Sequence, residues 1–407
     1  MTVSFQSQLD SLTGQRDGMI ALLTSWAQIN SGSFNVSGLA HMAQELQKSF
    51  LPLGATCEVI ALPPQRSLNN KAQYTERPLG QALRFRKRPA AKLQVFLGGH
   101  YDTVFGVDHP FQNVTRIDDN TLRGPGVADL KGGIVVILHA LLAFEKMPQA
   151  QNVGWEVLLN PDEEISSPGS APLFVEAAKR ADVGLIFEPG LADGSIVGER
   201  MGIGNFTVVV RGRAAHAGRD KKAGRSAIVA CAKIAVALEA LNDDMAGVIL
   251  NVGYIEGGGA VNIVPDLATC RLNIRHDAAT DTENILVRIR AILAEAGNTE
   301  GIHVELHGDF NRAPKQLSTK ITTLFQLLQK TAAADGLTIG PLKSSGGVCD
   351  GNILAAAGLA NIDTLGVRGG KIHSDEEFVI LDSLVERARL TARFMGELAD
   401  GKISWSK

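Results

Sequence analysis

The sequence has few cysteines, almost no net charge and no long apolar run. Its four cysteines, Cys57, Cys231, Cys270 and Cys349, are widely separated and form no C-x-x-C pair, which argues against a disulfide framework and against a thiolate zinc site. The 40 basic and 43 acidic residues give a formal charge of −3. No nucleic-acid or anionic-membrane partner is therefore expected.

Signals for export or membrane insertion are also missing. The opening segment, MTVSFQSQLDSLTGQRD, has no basic stretch followed by an apolar one, and no apolar run approaches the ~18 residues of a spanning helix. With the scattered thiols, this predicts a cytoplasmic protein without a membrane partner. A chain of 407 residues, 45% of them hydrophobic, is too long for one ordinary core, so we expect two domains or a large insertion.

The first half of the chain has an α/β pattern. Amphipathic helices at MIALLTSWAQIN and GLAHMAQELQKSF precede a strand at CEVIAL. Residues 64–92 are predicted to be irregular, with the basic run LRFRKRPAAK in a solvated hairpin. From residue 93 onward, apolar strands alternate with helices. This predicts a sheet covered on both faces, with its functional site at the carboxyl ends of the strands.

The pattern changes near residue 201. From NFTVVVRG to HVELHGD the order is β-α-β-β-α-β, which is typical of a ferredoxin-like unit; the α/β pattern then resumes. We therefore predict a doubly wound, mixed-sheet catalytic domain of residues 1–200 and 313–407. A ferredoxin-like α+β domain is inserted into it at 201–312.

One strand end holds a histidine and an aspartate two residues apart. In GGHYDTVFG, which follows the apolar run LQVFL, His100 and Asp102 face the same way if the strand continues. Asp102 can then orient the ring of His100 and leave its second nitrogen free for a metal ion. Taken alone, the pair is better explained as an ordinary strand-end histidine.

Further acids and a second histidine follow later apolar segments. They are Asp129 in GPGVADLKGG, Glu163 and Glu164 in NPDEEISS, Glu188 in IFEPG and His373 in GGKIHSDEE. Singly, each fits a helix cap, a turn acid or a loop histidine. Together, two histidines and at least three carboxylates supply the nitrogen and oxygen ligands that Zn²⁺ or Co²⁺ accepts. They exceed the needs of one tetrahedral ion, so a paired site with a bridging carboxylate is expected.

An ordered set of motifs gives the chain a family resemblance. The segments GGHYDTV, GPGVADLKGG, NPDEEISSPGS, IFEPG, GRAAHAG, VNIVPDLA and KIHSDEE occur in this order from about Leu93 to the C-terminal helix. By these motifs the sequence resembles the aminoacylase and glutamate carboxypeptidase family of di-zinc metallopeptidases. Within that family it looks most like the carboxypeptidases that remove C-terminal glutamate from folate-like compounds.

The resemblance implies a role for each side chain at the strand ends. The implied ligands of the two zinc ions are His100 and Glu188 for one ion, Glu164 and His373 for the other, and Asp129 as the bridge. Asp102 would orient a histidine ligand, and Glu163 would be the general base for a water molecule shared by the ions. The family pattern also implies a cis peptide bond between Asp129 and Leu130.

The same resemblance gives the inserted domain the roles of a lid and a dimerisation surface. It makes His216 in GRAAHAG the residue that reaches into the partner's site of a homodimer and stabilises the oxyanion. By itself, a histidine between alanines is better explained as a turn residue. The implied substrate-binding positions are Asn262, Arg275, Arg312, Gly346 and Gly347. Arg275 fits a surface salt bridge equally well.

These inferences predict a metal-dependent hydrolase that holds two Zn²⁺ ions, with Co²⁺ as a substitute. Its substrate would be a small peptide or N-acyl amino acid, cleaved next to a C-terminal residue. Glutamate-cleaving relatives carry a lysine after the zinc-binding glutamate, whereas GLADGSIVG has none, so a preference for glutamate stays open. The alternatives are an N-acyl amino acid deacylase of the same family, a cysteine peptidase using Cys349 and His373, a two-metal phosphoesterase and an inactive, metal-bound binding module.

Overall fold

The computed structural model describes residues 5–191 and 193–401. Its strands are β1 Thr56–Ala61, β2 Gln65–Leu68, β3 Tyr74–Arg77, β4 Gln81–Lys87, β5 Leu93–His100, β6 Thr115–Arg116, β7 Thr121–Arg123, β8 Val153–Asn160, β9 Val183–Ile186, β10 Ile196–Arg200, β11 Gly202–Arg211, β12 Ala215–His216, β13 Val248–Gly257, β14 Ile263–Val264, β15 Leu267–His276, β16 His303–Arg312, β17 Leu342–Ser345, β18 Asn361–Ile362, β19 Gly369–Gly370 and β20 Phe378–Ile380. Its α-helices are α1 Phe5–Ser11, α2 Arg16–Ala27, α3 Val36–Phe50, α4 Lys131–Phe144, α5 Ala171–Arg180, α6 Ala227–Glu239, α7 Leu241–Asp244, α8 Thr282–Gly297, α9 Thr319–Ala334, α10 Asp350–Ala356 and α11 Asp382–Ala399.

The larger sheet has the mixed, doubly covered form that the sequence predicts. Its strand order is β1-β4-β8-β5-β9-β18. Strands β8, β5, β9 and β18 pair in parallel, and β4 is antiparallel to both of its neighbours, β1 and β8. Alternate residues of β5 enter different apolar clusters: Val95 and Leu97 pack with α4 and α11, whereas Phe96 packs with α5 and α10. Because both faces are covered, its central strands are largely apolar.

The basic stretch before β5 differs from the prediction. It is a strand, β4, that pairs with β1 on one side and β8 on the other, so the prediction of a solvated hairpin for this run was wrong. Arg84 is only 9% exposed, and its guanidinium lies 3.0 Å from Glu58 and 3.3 Å from Glu156. Acids on the two neighbouring strands neutralise the buried charge, which a pattern read along one segment does not reveal.

Residues 202–312 build a second, antiparallel sheet in the order β13-β15-β11-β16. Along the chain the elements run β11, α6, β13, β15, α8 and β16, which is the β-α-β-β-α-β order predicted from the sequence. Helices α6 and α8 cover one face and share an apolar cluster separate from that of the larger sheet. The use of this unit as a lid or dimerisation domain stays a prediction.

The topology brings several chain segments to one edge of the larger sheet. Parallel strands β5, β8, β9 and β18 end side by side, so the residues that follow them, including Asp102, Glu163 and Glu188, gather there. Backbone hydrogen bonds between Arg200 and Lys315 join the two passages to and from the smaller sheet. Within the described ranges, no helix is long and apolar enough to cross a membrane.

Candidate metal centre

His100 is fixed by the aspartate that follows it. The ring is 1% exposed at the end of β5, and its Nδ1 lies 3.3 Å from Asp102 Oδ1. Asp102 also accepts hydrogen bonds from Ser33 Oγ at 2.7 Å and from the backbone N–H groups of Glu163 and Glu164, both at 3.2 Å. One buried carboxylate thus orients the histidine ring and the turn that carries both glutamates, which leaves Nε2 of His100 directed at the cluster.

Asp129 lies between the two predicted histidine ligands. Its Oδ1 is 3.1 Å from His100 Nε2, and its Oδ2 is 3.3 Å from His373 Nε2. His373 Nε2 is also 3.1 Å from Glu164 Oε2. Ligand atoms of His100, Asp129 and Glu164 all fall within 4.8 Å of one another. One oxygen of Asp129 therefore faces each histidine, as a bridging carboxylate requires, and the predicted cis bond to Leu130 is confirmed.

The electrostatics of the cluster match a site built for cations. Burial, with the charge of Asp129 adding, raises the pKa of Glu164 to about 8, and desolvation raises the pKa of Glu188 well above its ordinary value. Hydrogen bonds to Asp129 and Glu164 raise the pKa of His373 to about 10. These carboxylates repel one another in a poorly solvated site. Two imidazoles and three carboxylates form a donor set that fits Zn²⁺ or Co²⁺.

Glu163 is paired with an arginine rather than with the histidines of the cluster. Its Oε1 accepts a hydrogen bond of 2.7 Å from Arg312 Nη1, while the neighbouring Glu164 faces His373. Arg312 also donates to Asp350 at 2.9 Å and to Ser167 at 2.8 Å. The structure thus places Arg312, predicted to bind substrate, in a buried ion pair with the predicted general base.

Three other predicted substrate positions lie together beside the cluster. Arg275 donates to the backbone carbonyl of Gly346, and Arg200 donates to that of Gly347 at 3.1 Å. Packing does not require a glycine at position 346, since the nearest atom that an added Cβ would meet is Met201 Sδ, at 3.9 Å. A side chain at position 346 would thus meet no steric obstacle within the described residues.

His216 and Asn262 lie together on the smaller sheet's connections, away from the other site residues. His216 pairs with Ile263 in a short ladder, and the carbonyl of Asn262 accepts from Ala217 N–H. Both side chains are exposed. Nδ1 of His216 accepts the N–H groups of residues 218 and 219 at 3.1 and 3.2 Å, so the ring's Nε2–H is the donor directed outward. Among the hydrogen bonds of the described residues, none joins His216 to the metal cluster.

The thiol of Cys349 does not offer an alternative nucleophile. It is 1% exposed, and burial raises its pKa above the ordinary thiol value. His373 faces carboxylates rather than sulfur. A cysteine peptidase needs a thiolate beside its histidine, so this alternative is not supported.

Comparison with known proteins identifies the family to which this arrangement belongs. The model of the peptidase family M20/M25/M40 matches residues 96–397. The chain belongs to this family. It is accordingly a metal-dependent hydrolase of the metallopeptidase type. The match confirms the resemblance found in the motifs.

The relatives of this M20/M25/M40 protein are named for different activities. Carboxypeptidase G2 from Pseudomonas sp. (strain RS-16) is 26% identical over 400 residues, covering 96% of this chain and 91% of that protein. A succinyl-diaminopimelate desuccinylase from Hahella chejuensis is 27% identical over 387 residues, covering 89% and 98%. The di-peptidase Dug1p from Saccharomyces cerevisiae has a TM-score of 0.75 at 16% identity, covering 98% of this chain and 99% of that chain. The last likeness supports the mixed α/β fold.

Sequence reasoning about this M20/M25/M40 member missed Glu377. It stands four residues after His373 in KIHSDEE, but only the histidine was singled out. Its carboxylate is 1% exposed and accepts three backbone N–H groups from residues 126–129. Burial, with the charge of Asp129 adding, raises its pKa to about 7. The last acid of the DEE run was the available signal.

A buried cluster of charges between the two sheets was also missed. Asp363, directly after β18, is fully buried and accepts from Arg200 Nε at 2.9 Å and from Lys315 Nζ at 2.7 Å. These two cations flank the passages to and from the smaller sheet, so one carboxylate ties both passages to the larger sheet. The strand before Asp363 is two residues long, which is too short to show as a strand in the sequence.

Proposed function

We propose that this chain hydrolyses an amide or peptide bond next to a C-terminal amino acid, as a carboxypeptidase with two bound Zn²⁺ ions for which Co²⁺ can substitute. The observation that carries the proposal is Asp129, whose two oxygens face two different histidines at 3.1 and 3.3 Å. The ions would be held by His100, Glu164, Glu188 and His373, with Asp129 between them. When bound, they would acidify a water molecule and polarise the scissile carbonyl.

Glu163 supplies the proton transfers in this proposal. Its neighbour Glu164 is directed at His373, whereas Glu163 makes no ion pair with either histidine among the described residues. Neither histidine therefore competes for its carboxylate, which can accept a proton from the attacking water and return it to the departing amine once Arg312 engages the substrate. Asp102 fixes the position of Glu163 relative to His100, because its carboxylate contacts the His100 ring and accepts the backbone N–H of Glu163.

Arg312 links recognition of the substrate to release of the base. Its side chain is 1% exposed, and Glu163 occupies its Nη1. A substrate carboxylate that binds Arg312 must compete with Glu163 for this guanidinium. When a substrate carboxylate replaces Glu163 on Arg312, the Glu163 carboxylate becomes available as a base while substrate is bound. Arg275, beside the open Gly346–Gly347 loop, would hold the substrate at the same end.

The inserted unit of residues 201–312 would act as a lid and form a homodimer. His216 is exposed and presents its Nε2–H outward, so it can donate to the oxyanion in a partner's site, with Asn262 nearby. Exposed apolar side chains on the same unit support an interface: Val236 is 73% exposed and Ile249 on edge strand β13 is 52% exposed. The site would then be complete only in the dimer.

The site contacts define the C-terminal amino acid that is released less narrowly than they define the reaction. The segment from Pro189 to Ser195 has no lysine, and Asp193 within it binds Lys343. This loop therefore presents no free cation for a glutamate side chain. An N-acyl amino acid deacylase is the second candidate, since a desuccinylase matches the chain at a comparable identity, 27% against 26% for the carboxypeptidase.

The test is hydrolysis of a matched panel with Zn²⁺ or Co²⁺ added. The panel pairs dipeptides with N-acetyl and N-succinyl amino acids that release the same glutamate, alanine or leucine, and includes C-terminal amides as controls. We expect turnover that a chelator abolishes and added metal restores, with the amides at least 100-fold poorer. Metal-loaded protein that cleaves none of these substrates would favour the inactive binding module instead.

A further inference from the structure

The carboxylate of Glu377 is enclosed by backbone N–H groups. Its Oε1 accepts from Ala128 at 2.9 Å and from Asp129 at 3.0 Å, and its Oε2 accepts from Gly126 at 3.1 Å. The backbone carbonyl of Glu377 accepts a fourth N–H, from Gly124, at 3.1 Å. One residue therefore fixes the whole turn that ends at the predicted bridging carboxylate.

Two loops meet at this contact. We call residues 124–130 the bridge loop, since it carries Asp129, and residues 371–377 the histidine loop, since it carries His373. The bridge loop follows β7 and the histidine loop precedes β20, and these strands pair with each other. Each loop thus provides one predicted metal ligand, and these two ligands contact each other at 3.3 Å. The Glu377 carboxylate links the two loops through the backbone, independently of that contact.

The histidine loop needs such an anchor. Lys371 and His373 have φ angles of 56° and 63°, a left-handed conformation that residues with side chains adopt rarely and keep only where their surroundings impose it. Two backbone bonds of 3.2 Å, from Ser374 to Lys371 and from Glu377 to Ser374, close the loop internally. Glu377 attaches it to the backbone of the bridge loop.

The residue type also argues for positioning. A further carboxylate beside Asp129 adds repulsion to a site already rich in negative charge. A neutral side chain would avoid that repulsion but would not accept three N–H groups at once. The choice of an acid here makes sense if the direction of the Asp129 carboxylate depends on those three bonds.

We propose that Glu377 is a positioning residue that sets the affinity for both metal ions, by fixing Asp129 relative to His373. The proposal rests on the metal site of the proposed function. In Glu377→Gln the amide NH₂ opposes a backbone N–H donor, so the bridge loop loses part of its support. Loss of such an outer partner typically weakens metal binding 10–100-fold.

The experiment measures metal binding rather than activity. Zn²⁺ dissociation constants are determined by competition with a chromophoric chelator, and Co²⁺ titrations are followed by visible absorption. We expect Glu377→Gln to raise the dissociation constants of both ions 10–100-fold and to change the Co²⁺ spectrum. His373→Ala removes a predicted ligand of one ion and should weaken the binding of that ion only. This contrast separates a positioning residue from a single ligand.

Glu145→Gln is the matched control. Its carboxylate pairs with Arg88 and Lys87, and it caps the far end of α4, about 20 Å from Asp129 at 1.5 Å per residue. Both variants should lower the Tm of the metal-free protein, but only Glu377→Gln should alter metal affinity. Should Glu377→Gln not fold, Glu377→Asp, whose carboxylate is retracted by about 1.5 Å, is measured instead and should weaken both ions.

Two outcomes are distinguishable. If wild-type protein binds fewer than two ions, the proposed function fails. If wild type binds two ions and the Glu377 variant binds both with wild-type affinity and an unchanged Co²⁺ spectrum, the positioning role is wrong and the metal site stands.

Discussion

The substitution Glu163→Gln separates proton transfer from every other property of the site. Glutamine has the same size as glutamate and can still accept a hydrogen bond from Arg312 Nη1, which lies 2.7 Å from the present oxygen. It does not take up a proton at neutral pH. The cluster of Asp129, Glu164 and His373 does not use the Glu163 carboxylate, so metal binding should be unchanged.

The expected magnitudes follow from these contacts. Loss of a general base lowers kcat by about 10²–10⁴-fold, or about 2.7–5.4 kcal/mol of transition-state stabilisation. Stability should fall by at most about 1–3 kcal/mol, because a charged hydrogen bond is exchanged for a neutral one and Arg312 keeps Asp350. KM should decrease, since glutamine competes less well than glutamate with the substrate carboxylate for Arg312.

The assay combines steady-state kinetics at saturating Zn²⁺ with metal content after dialysis. Glu164→Gln is the control, since the adjacent residue is the predicted ligand and its variant should lose metal. The reasoning is refuted if Glu163→Gln keeps kcat within tenfold of wild type. It is equally refuted if the two variants exchange behaviours, so that the change at position 163 removes metal and the change at 164 does not.

Further predictions concern the partner's histidine and the protons of the site. His216→Ala should lower kcat by about 10²–10³-fold, and mixing it with Glu163→Gln protomers should restore activity if His216 acts across a dimer; no recovery in verified mixed dimers contradicts that role. Zn²⁺ affinity should rise with pH, because binding must expel protons held by His373, whose pKa is raised to about 10. Calorimetry in buffers of different ionisation enthalpy measures this release, and a pH-independent affinity contradicts it. In the metal-free protein the sign reverses: the His373 contribution to stability is complete below pH 6.5 and is lost as pH rises through about 10, so the Tm should fall over that window.

The sequence predicts those features that depend on local periodicity. Strand and helix patterns indicate both sheets, because hydrophobic spacing directly records which faces are buried. Since parallel strands end at one edge, side chains that follow different strands can be expected to meet, as His100, Asp129 and Glu164 do within 4.8 Å. The ferredoxin-like order of 202–312 was recoverable for the same reason. What each site residue does to a substrate stays a prediction.

The sequence does not predict hydrogen-bond and ion-pair partners that are far apart along the chain. Glu377 binds N–H groups 248 to 251 positions earlier, and backbone donors leave no trace in residue types. Arg312 pairs with Glu163 across 149 positions, and the sequence offers many other acids as its partner. Arg84 was assigned to solvent because its counter-charges stand on two other strands. In each case the deciding contact is polar, long-range and buried.

Such contacts also show how two adjacent glutamates, the proposed base and a predicted ligand, can take different partners. Asp102 holds the N–H groups of both Glu163 and Glu164 at 3.2 Å, so the turn presents the two carboxylates in fixed, different directions. One direction ends at His373, and the other ends at Arg312, the last residue of β16 in the smaller sheet. If the smaller sheet moves, it would displace the partner of the proposed base and leave the predicted ligand in place. In the proposed function, the separation of proton transfer from metal binding would thus depend on a buried aspartate two residues after a strand-end histidine.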